Sequence, residues 1–201
     1  MRAVWVDSGN DPDWATHARH SISASYFDIF DPRVTKTYLE GIKAKGQAVG
    51  VYMAWNWPQF DGKSPEEVAE IVNTRVRQIA GGGLKPSFPK VQFDLEQHDP
   101  DAIIRVLRRW RQIMPNQDTS WTMEAFQGGW MSDAFVQEII ALRIRVVPQA
   151  YTGDMRRMSE DGTLRDLIRR GFPEALVTLF YDAAQLPINW DGFAFTQGRL
   201  P

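Results

Sequence analysis

The chain has 201 residues with 43% hydrophobic content, which supports one substantial core, so a single domain over residues 1–201 is expected. It contains no cysteine, which excludes a disulfide framework, thiolate metal sites and cysteine redox chemistry. With 23 basic against 25 acidic residues and a formal net charge of -2, it lacks the positive field of a general nucleic-acid binder.

The first strand, Ala3 to Asp7, begins at once, with no cleavable signal before it, and no apolar run reaches membrane-span length. The expectation is cytoplasmic synthesis without a membrane partner, and delivery to any outside target within a virion or by lysis. The connection Asn10 to His20 has room for only a turn or two of helix. A second strand, Ser23 to Ile29, a helix, Thr35 to Ala44, and a third strand, Ala48 to Trp55, follow. Ser64-Pro-Glu-Glu67 reads as an N-cap, a Pro at the first helical position and a capping-box Glu; it opens a helix to Ala80 that Gly81-Gly-Gly83 closes.

The fourth strand is Val91 to Glu96. The helix after it, Asp101 to Ile113, carries the densest basic run, Arg105-Val-Leu-Arg-Arg-Trp-Arg111. Ile104, Leu107 and Trp110 form its apolar stripe, so the arginines read as a solvated outer face rather than a phosphate patch. Ser120 to Phe126 is the fifth strand, Ser132 to Leu142 a helix, and Arg145 to Tyr151 the sixth strand. A helix from Thr163 to Arg170 stops at Gly171 before Pro173. The seventh strand, Ala175 to Asp182, a short connection, Ala183 to Asp191, and an eighth strand, Gly192 to Gln197, complete the series.

Strands that alternate with helices are the signature of parallel βαβ units. An open dinucleotide-binding sheet carries a glycine-rich turn after its first strand. Here that turn, Asp7-Ser-Gly-Asn-Asp-Pro-Asp13, has no G-x-G-x-x-G and is acidic where a pyrophosphate would sit. The fold class predicted is therefore α/β, a compact (β/α)8 TIM-like barrel, with the last strand placed to pair with the first.

Reactive groups of such a barrel come from the C-terminal ends of its strands. Asp94 and Glu96, two apart on strand four, share one face, while Val91, Phe93 and Leu95 take the other. Asp7 ends strand one, Glu124 lies near the end of strand five and Asp182 ends strand seven; Gln149 and Gln197 hold similar places on strands six and eight. Carboxylates brought together and partly desolvated cannot all ionise at neutral pH, which supplies one proton donor and one ionised partner, the requirement of a glycosidase. Trp55, Trp57, Phe60, Phe126, Trp130 and Tyr151 fall at or just past strand ends, where ring faces stack on sugars.

Three segments, Val4-Trp-Val-Asp7, Val49-Gly-Val-Tyr-Met-Ala-Trp55 and Gln92-Phe-Asp-Leu-Glu96, together resemble glycoside hydrolase family 25, the lysozyme-like muramidases of bacteria and phage endolysins, over the first half of the chain. The resemblance implies cleavage of peptidoglycan or a related cell-surface polysaccharide without a cofactor. Glu96 would be the general acid/base, Asp94 the stabilising or substrate-orienting carboxylate and Asp7 an electrostatic support. Glu124, Tyr52, Trp55, Trp57, Gln149, Tyr151, Asp182 and Gln197 are the expected substrate contacts. Retention of configuration is expected if Glu96 and its partner lie about 5 Å apart, and inversion at about 6.5–9.5 Å.

Gln197 stands where the family has a further Asp, and no His follows Tyr52. A second reading therefore stays open: a barrel that binds glycan without cutting it, as part of a larger assembly such as a phage tail with other virion proteins as partners. His98 and Asp99 adjoin the acidic pair, but no spacing joins them to His17 and His20 in one coordination shell, so no metal is expected. Ser8 lies in no nucleophile elbow.

Overall fold

The computed structural model describes residues 2–6, 8–81, 88–95, 99–123, 131–150, 162–182 and 192–196. Asp7, Glu96, Glu124, Tyr151 and Gln197 lie outside these residues, as do His98, Phe126, Trp130 and the side chain of Asp182.

The strands are β1 (Arg2–Val6), β2 (Ala24–Asp28), β3 (Ala48–Ala54), β4 (Lys90–Asp94), β5 (Thr119–Met123), β6 (Arg145–Ala150), β7 (Leu179–Asp182) and β8 (Gly192–Thr196). All neighbours pair in parallel, and β8 closes on β1, with Arg2 opposite Gly192 and Val6 opposite Thr196. Followed once around the sheet, the pairing returns to β1 displaced by eight residues. Eight strands with a stagger of eight are the closure condition of the (β/α)8 barrel, so the predicted fold is the observed one. Gly192 is needed at the seam: its φ is 135°, and an added Cβ would lie 2.3 Å from the carbonyl oxygen of Leu179.

The helices α1 (Trp14–Arg19), α2 (Lys36–Ala44), α3 (Pro65–Ala80), α4 (Pro100–Ile113), α5 (Asp133–Ala141) and α6 (Leu164–Arg169) follow β1 to β6 in turn. Their starts show the capping chemistry in the sequence. The Ser64 hydroxyl accepts from Glu67 N–H while the Glu67 carboxylate accepts from Ser64 N–H, and Gly81 ends α3 in the left-handed region. Ser132 caps α5 through Phe135 N–H, and Asp99 caps α4 through Ala102 N–H at 2.8 Å. Asp99, weighed above beside a metal, thus has a backbone partner.

Outward strand residues such as Val51, Val91, Phe93 and Val146 meet Leu39, Val72, Val76, Leu107, Trp110 and Ile139 of the helices in one apolar shell. Trp110 is fully buried against Phe93, ring centroids 5.2 Å apart, and its indole N–H donates to Thr119 Oγ1 at 2.9 Å, so the large ring enters the core without stranding its polar atom. The arginines of α4 take the outer face, as their spacing requires. Arg105 pairs with Glu66 at 2.7 Å, Arg108 with Glu138 at 2.6 Å, and Arg109 with Glu70.

The seventh strand differs from the sequence expectation. It begins at Leu179 rather than Ala175, because Pro173 leads Glu174–Leu176 into a short 3-10 turn and Val177 makes only an isolated bridge to Val146. Pro fixes φ near the value that such a turn needs.

Candidate active site at the barrel mouth

A barrel with this stagger stacks its inward side chains in layers, each drawn from alternate strands. The strand registers place Tyr26, Gln92, Val147 and Phe193, from even-numbered strands, at one height. One step toward the strand C-termini come Trp5, Tyr52, Thr122 and Phe180 from odd-numbered strands. Contacts agree with this order. The ring centroids of Trp5 lie 4.3 Å from Tyr52, with planes 2° apart, and 4.5 Å from Phe180; Tyr26 meets Phe193 at 5.1 Å. Trp5 Nε1 donates to Gln92 Oε1, and Gln92 Nε2 donates to Thr122 Oγ1, both at 2.7 Å, which fixes the amide's orientation. Below, Tyr26 folds over Gly50, where a Cβ would stand 2.4 Å from the ring, so only glycine admits this packing.

The next layer up, again from even strands, holds Asp28, Asp94 and Gln149. Here two carboxyls and an amide enter the lumen over a floor of stacked aromatic rings. Asp94 is 8% exposed and Gln149 3%, whereas Asp28 is half-buried. The alternation along β4 is the one read in the sequence: Gln92 and Asp94 face the lumen, while Val91, Phe93 and Leu95 join the helical shell. The neighbouring backbone ties the layer down, with Trp55 N–H donating to Asp94 O and Ile29 N–H to Tyr52 O, both at 3.0 Å.

Asp28 was not among the sequence candidates. Its signal was available, since it shares parity with Tyr26 at the end of a strand, but the apolar Ile29-Phe30 beyond it hides that end. Asp28 Oδ1 accepts from Phe30 N–H at 2.7 Å. Burial raises its carboxyl above the ordinary range, and the charge of Asp31 adds to this; the Phe30 N–H bond and the Arg75 guanidinium oppose it.

The aromatic candidates divide. Tyr52 belongs to the floor, with its hydroxyl 3.5 Å from Val6 O. Trp57 is half-buried and stands edge-on to Tyr52 at 5.8 Å and to Phe30 at 6.0 Å, so it walls the mouth. Trp55 and Phe60, expected near a groove, are buried in the helical shell at 8% and 2% exposure, because Trp55 has the outward parity of Met53.

A clamp holds the two loops beside this mouth. Asp31, 4% exposed, accepts from Gly9 N–H at 3.0 Å and pairs with Arg33 at 2.7 Å, while the Arg33 guanidinium donates to the carbonyls of Gly9 and Asn10 at 2.9 and 3.0 Å. The loop after β1 is thereby tied to the loop after β2. Arg33 holds the Asp31 carboxyl well below the usual aspartate range. Among the described residues, no three side chains of metal-ligating type gather around one point.

No family model matches the chain, and no curated protein matches it in sequence. Solved structures share the fold. Active domain 2 of a chitinase from Pyrococcus furiosus, solved as catalytic-site mutants, aligns with a TM-score of 0.64 at 11% identity, over 96% of this chain and 82% of that one. The catalytic domain of hyperthermophilic chitinase from the same organism gives 0.64 at 12% identity, over 96% and 75%. An aldolase-like barrel from Coccidioides immitis gives 0.57 at 12% identity, over 97% and 72%. The likeness, to chitinase and aldolase-like chains together, is one of the (β/α)8 barrel fold alone.

Proposed function

We propose that the chain is a glycoside hydrolase that cleaves peptidoglycan or a related cell-surface polysaccharide at the C-terminal mouth of its barrel, by carboxylate acid/base catalysis. The observation that carries this reading is the position of Asp94: inward, buried, and one layer above the Trp5-Tyr52 floor. A sugar at that height meets an aromatic floor below and polar groups around it, the combination that fixes a carbohydrate.

In this mechanism Glu96 gives its proton to the glycosidic oxygen as the bond to the anomeric carbon breaks, and Asp94 remains ionised opposite the oxocarbenium charge. Water then adds at the anomeric carbon and returns a proton to the enzyme. Asp7 supports the charge balance. Tyr52, Trp57 and Gln149 provide glycan contacts from the described mouth, with Glu124, Tyr151, Asp182 and Gln197 assigned to the same role. Trp55 acts from behind, as packing under the third strand.

Purified cell walls test the reading. The wild type is expected to clear their turbidity, and Glu96→Gln to lose about 10²–10⁴-fold in rate while it still sediments with the walls. Intact walls that retain the wild-type protein would instead favour a binding barrel without turnover.

A further inference from the structure

We propose that Asp28 is a further substrate-contacting carboxyl, which hydrogen-bonds the sugar held between it and Asp94. The inference rests on the glycoside hydrolase reading and deepens it by adding a residue from a second strand to the site.

Height and direction come first. Asp28 has the lumen-facing parity of Tyr26, sits opposite Tyr52 in register, and belongs to the same layer as Asp94 and Gln149. Its strand and that of Asp94 are separated only by β3, so their Cα atoms stand about 10 Å apart across two strand spacings. The two carboxyls thus stand on the strands that flank Tyr52, one layer above its ring.

Preorganisation is the second element. The backbone just past Asp28 is held from both sides: Ile29 N–H donates to Tyr52 O at 3.0 Å, and Arg75 of α3 reaches Ile29 O at 2.7 Å and Asp31 O at 3.3 Å. Phe30 N–H, with Asp31 N–H beside it, then orients the carboxyl. A carboxylate offers about four lone-pair sites on two oxygens, so these two bonds leave capacity for a ligand. Burial also keeps the proton on this group to higher pH than on an ordinary aspartate.

A purely local role is distinguishable. A turn that needs only an acceptor for Phe30 N–H is served equally by asparagine, whose side-chain carbonyl occupies the same place. Asp28→Asn should therefore leave thermal melting unchanged and weaken chitotetraose binding, followed by tryptophan fluorescence, roughly 10- to 100-fold, the worth of a hydrogen bond to a charged group. KM on cell-wall fragments should rise with it. Equal binding and turnover in wild type and Asp28→Asn would overturn the assignment while leaving the glycosidase reading intact. Wild type that neither binds nor cleaves chitotetraose or wall fragments overturns both. If Asp28→Asn melts early, carboxyl-carbon NMR of the wild type decides. An Asp28 resonance that moves on adding chitotetraose supports contact, and one that stays fixed while the Trp57 indole moves contradicts it.

Discussion

The indole of Trp5 lies flat on the ring of Tyr52, 4.3 Å between centroids and 2° from parallel, so β1 and β3 meet face to face across the lumen. The pair holds its place because Trp5 also donates to Gln92, which in turn donates to Thr122. Three strands are joined by two buried hydrogen bonds under the proposed sugar. Gln92→Leu keeps the volume but strands the Trp5 N–H and the Thr122 hydroxyl, at about 1–3 kcal/mol for each group left unpaired. For a chain of this length that lowers the melting temperature by roughly 5–15 °C. Calorimetry of the variant checks it; an unchanged transition would mean that the chain of bonds adds nothing to stability.

The Asp31-Arg33 clamp carries a pH signature. Because the folded-state pKa of Asp31 is depressed, its contribution is complete above the ordinary aspartate value of 3.8 and is lost as pH falls below that point. Arg33→Met removes the partner of a carboxylate that is 4% exposed. The expected cost near neutral pH is about 1–3 kcal/mol, less than for a fully buried pair because the Arg33 side chain is 38% exposed. Acid titration monitored by circular dichroism should show the variant unfolding at higher pH than the wild type. Coincident acid transitions would count against the clamp.

His17 should act in the opposite compartment, between α1 and the start of β3. It is 5% exposed, stands edge-on to Trp14 at 5.5 Å, and has Gln47 and Asp13 as its polar neighbours. Burial lowers its pKa from 6.5, against the opposing pull of those two groups. The unfolded chain therefore takes up a proton before the folded one does, and stability falls as pH drops from 6.5 toward the depressed folded value. Urea midpoints between pH 7.5 and 5 should decline in the wild type, and His17→Phe should flatten that decline. A wild-type midpoint independent of pH over this range would contradict the burial effect.

The α4 arginines supply a contrasting prediction. Arg105 and Glu66 are 49% and 43% exposed, and Arg108 is 48% exposed, so solvent screens these pairs. Arg105→Ala or Arg108→Ala should each leave the melting temperature close to that of the wild type, as loss of a solvent-screened surface pair does. Neither should alter retention on a heparin column, because these guanidinium groups already face carboxylates. A large loss of retention would reassign the row to an anionic ligand.

Where side-chain period decides, the sequence is a good guide. Alternation in Val91-Gln-Phe-Asp-Leu95 placed three residues in the shell and Gln92 with Asp94 in the lumen, and Ser64 with Glu67 marked the start of α3. Two other features depend on context that no local pattern carries. Ala175 to Val177 has strand-like composition, yet the register of β6 leaves it one isolated bridge, and the chain turns there. Trp55 looks like a groove residue by position past an apolar run, but β3 continues its alternation through Ala54, which sends the indole outward. Asp28 was hidden for a related reason: its height beside Asp94 follows from the stagger of the closed barrel, a property of all the strands together.

Release of reducing ends from purified peptidoglycan, with chitin as a second substrate, tests the central claim most directly. Wild type should release them steadily, and Asp94→Asn should lose at least about 10²-fold while retaining the wild-type melting temperature, since a buried lumen carboxylate opposite a developing positive charge acts mainly in the transition state. Equal rates in wild type and Asp94→Asn, or no release by the wild type from either polymer, would contradict hydrolysis at this mouth.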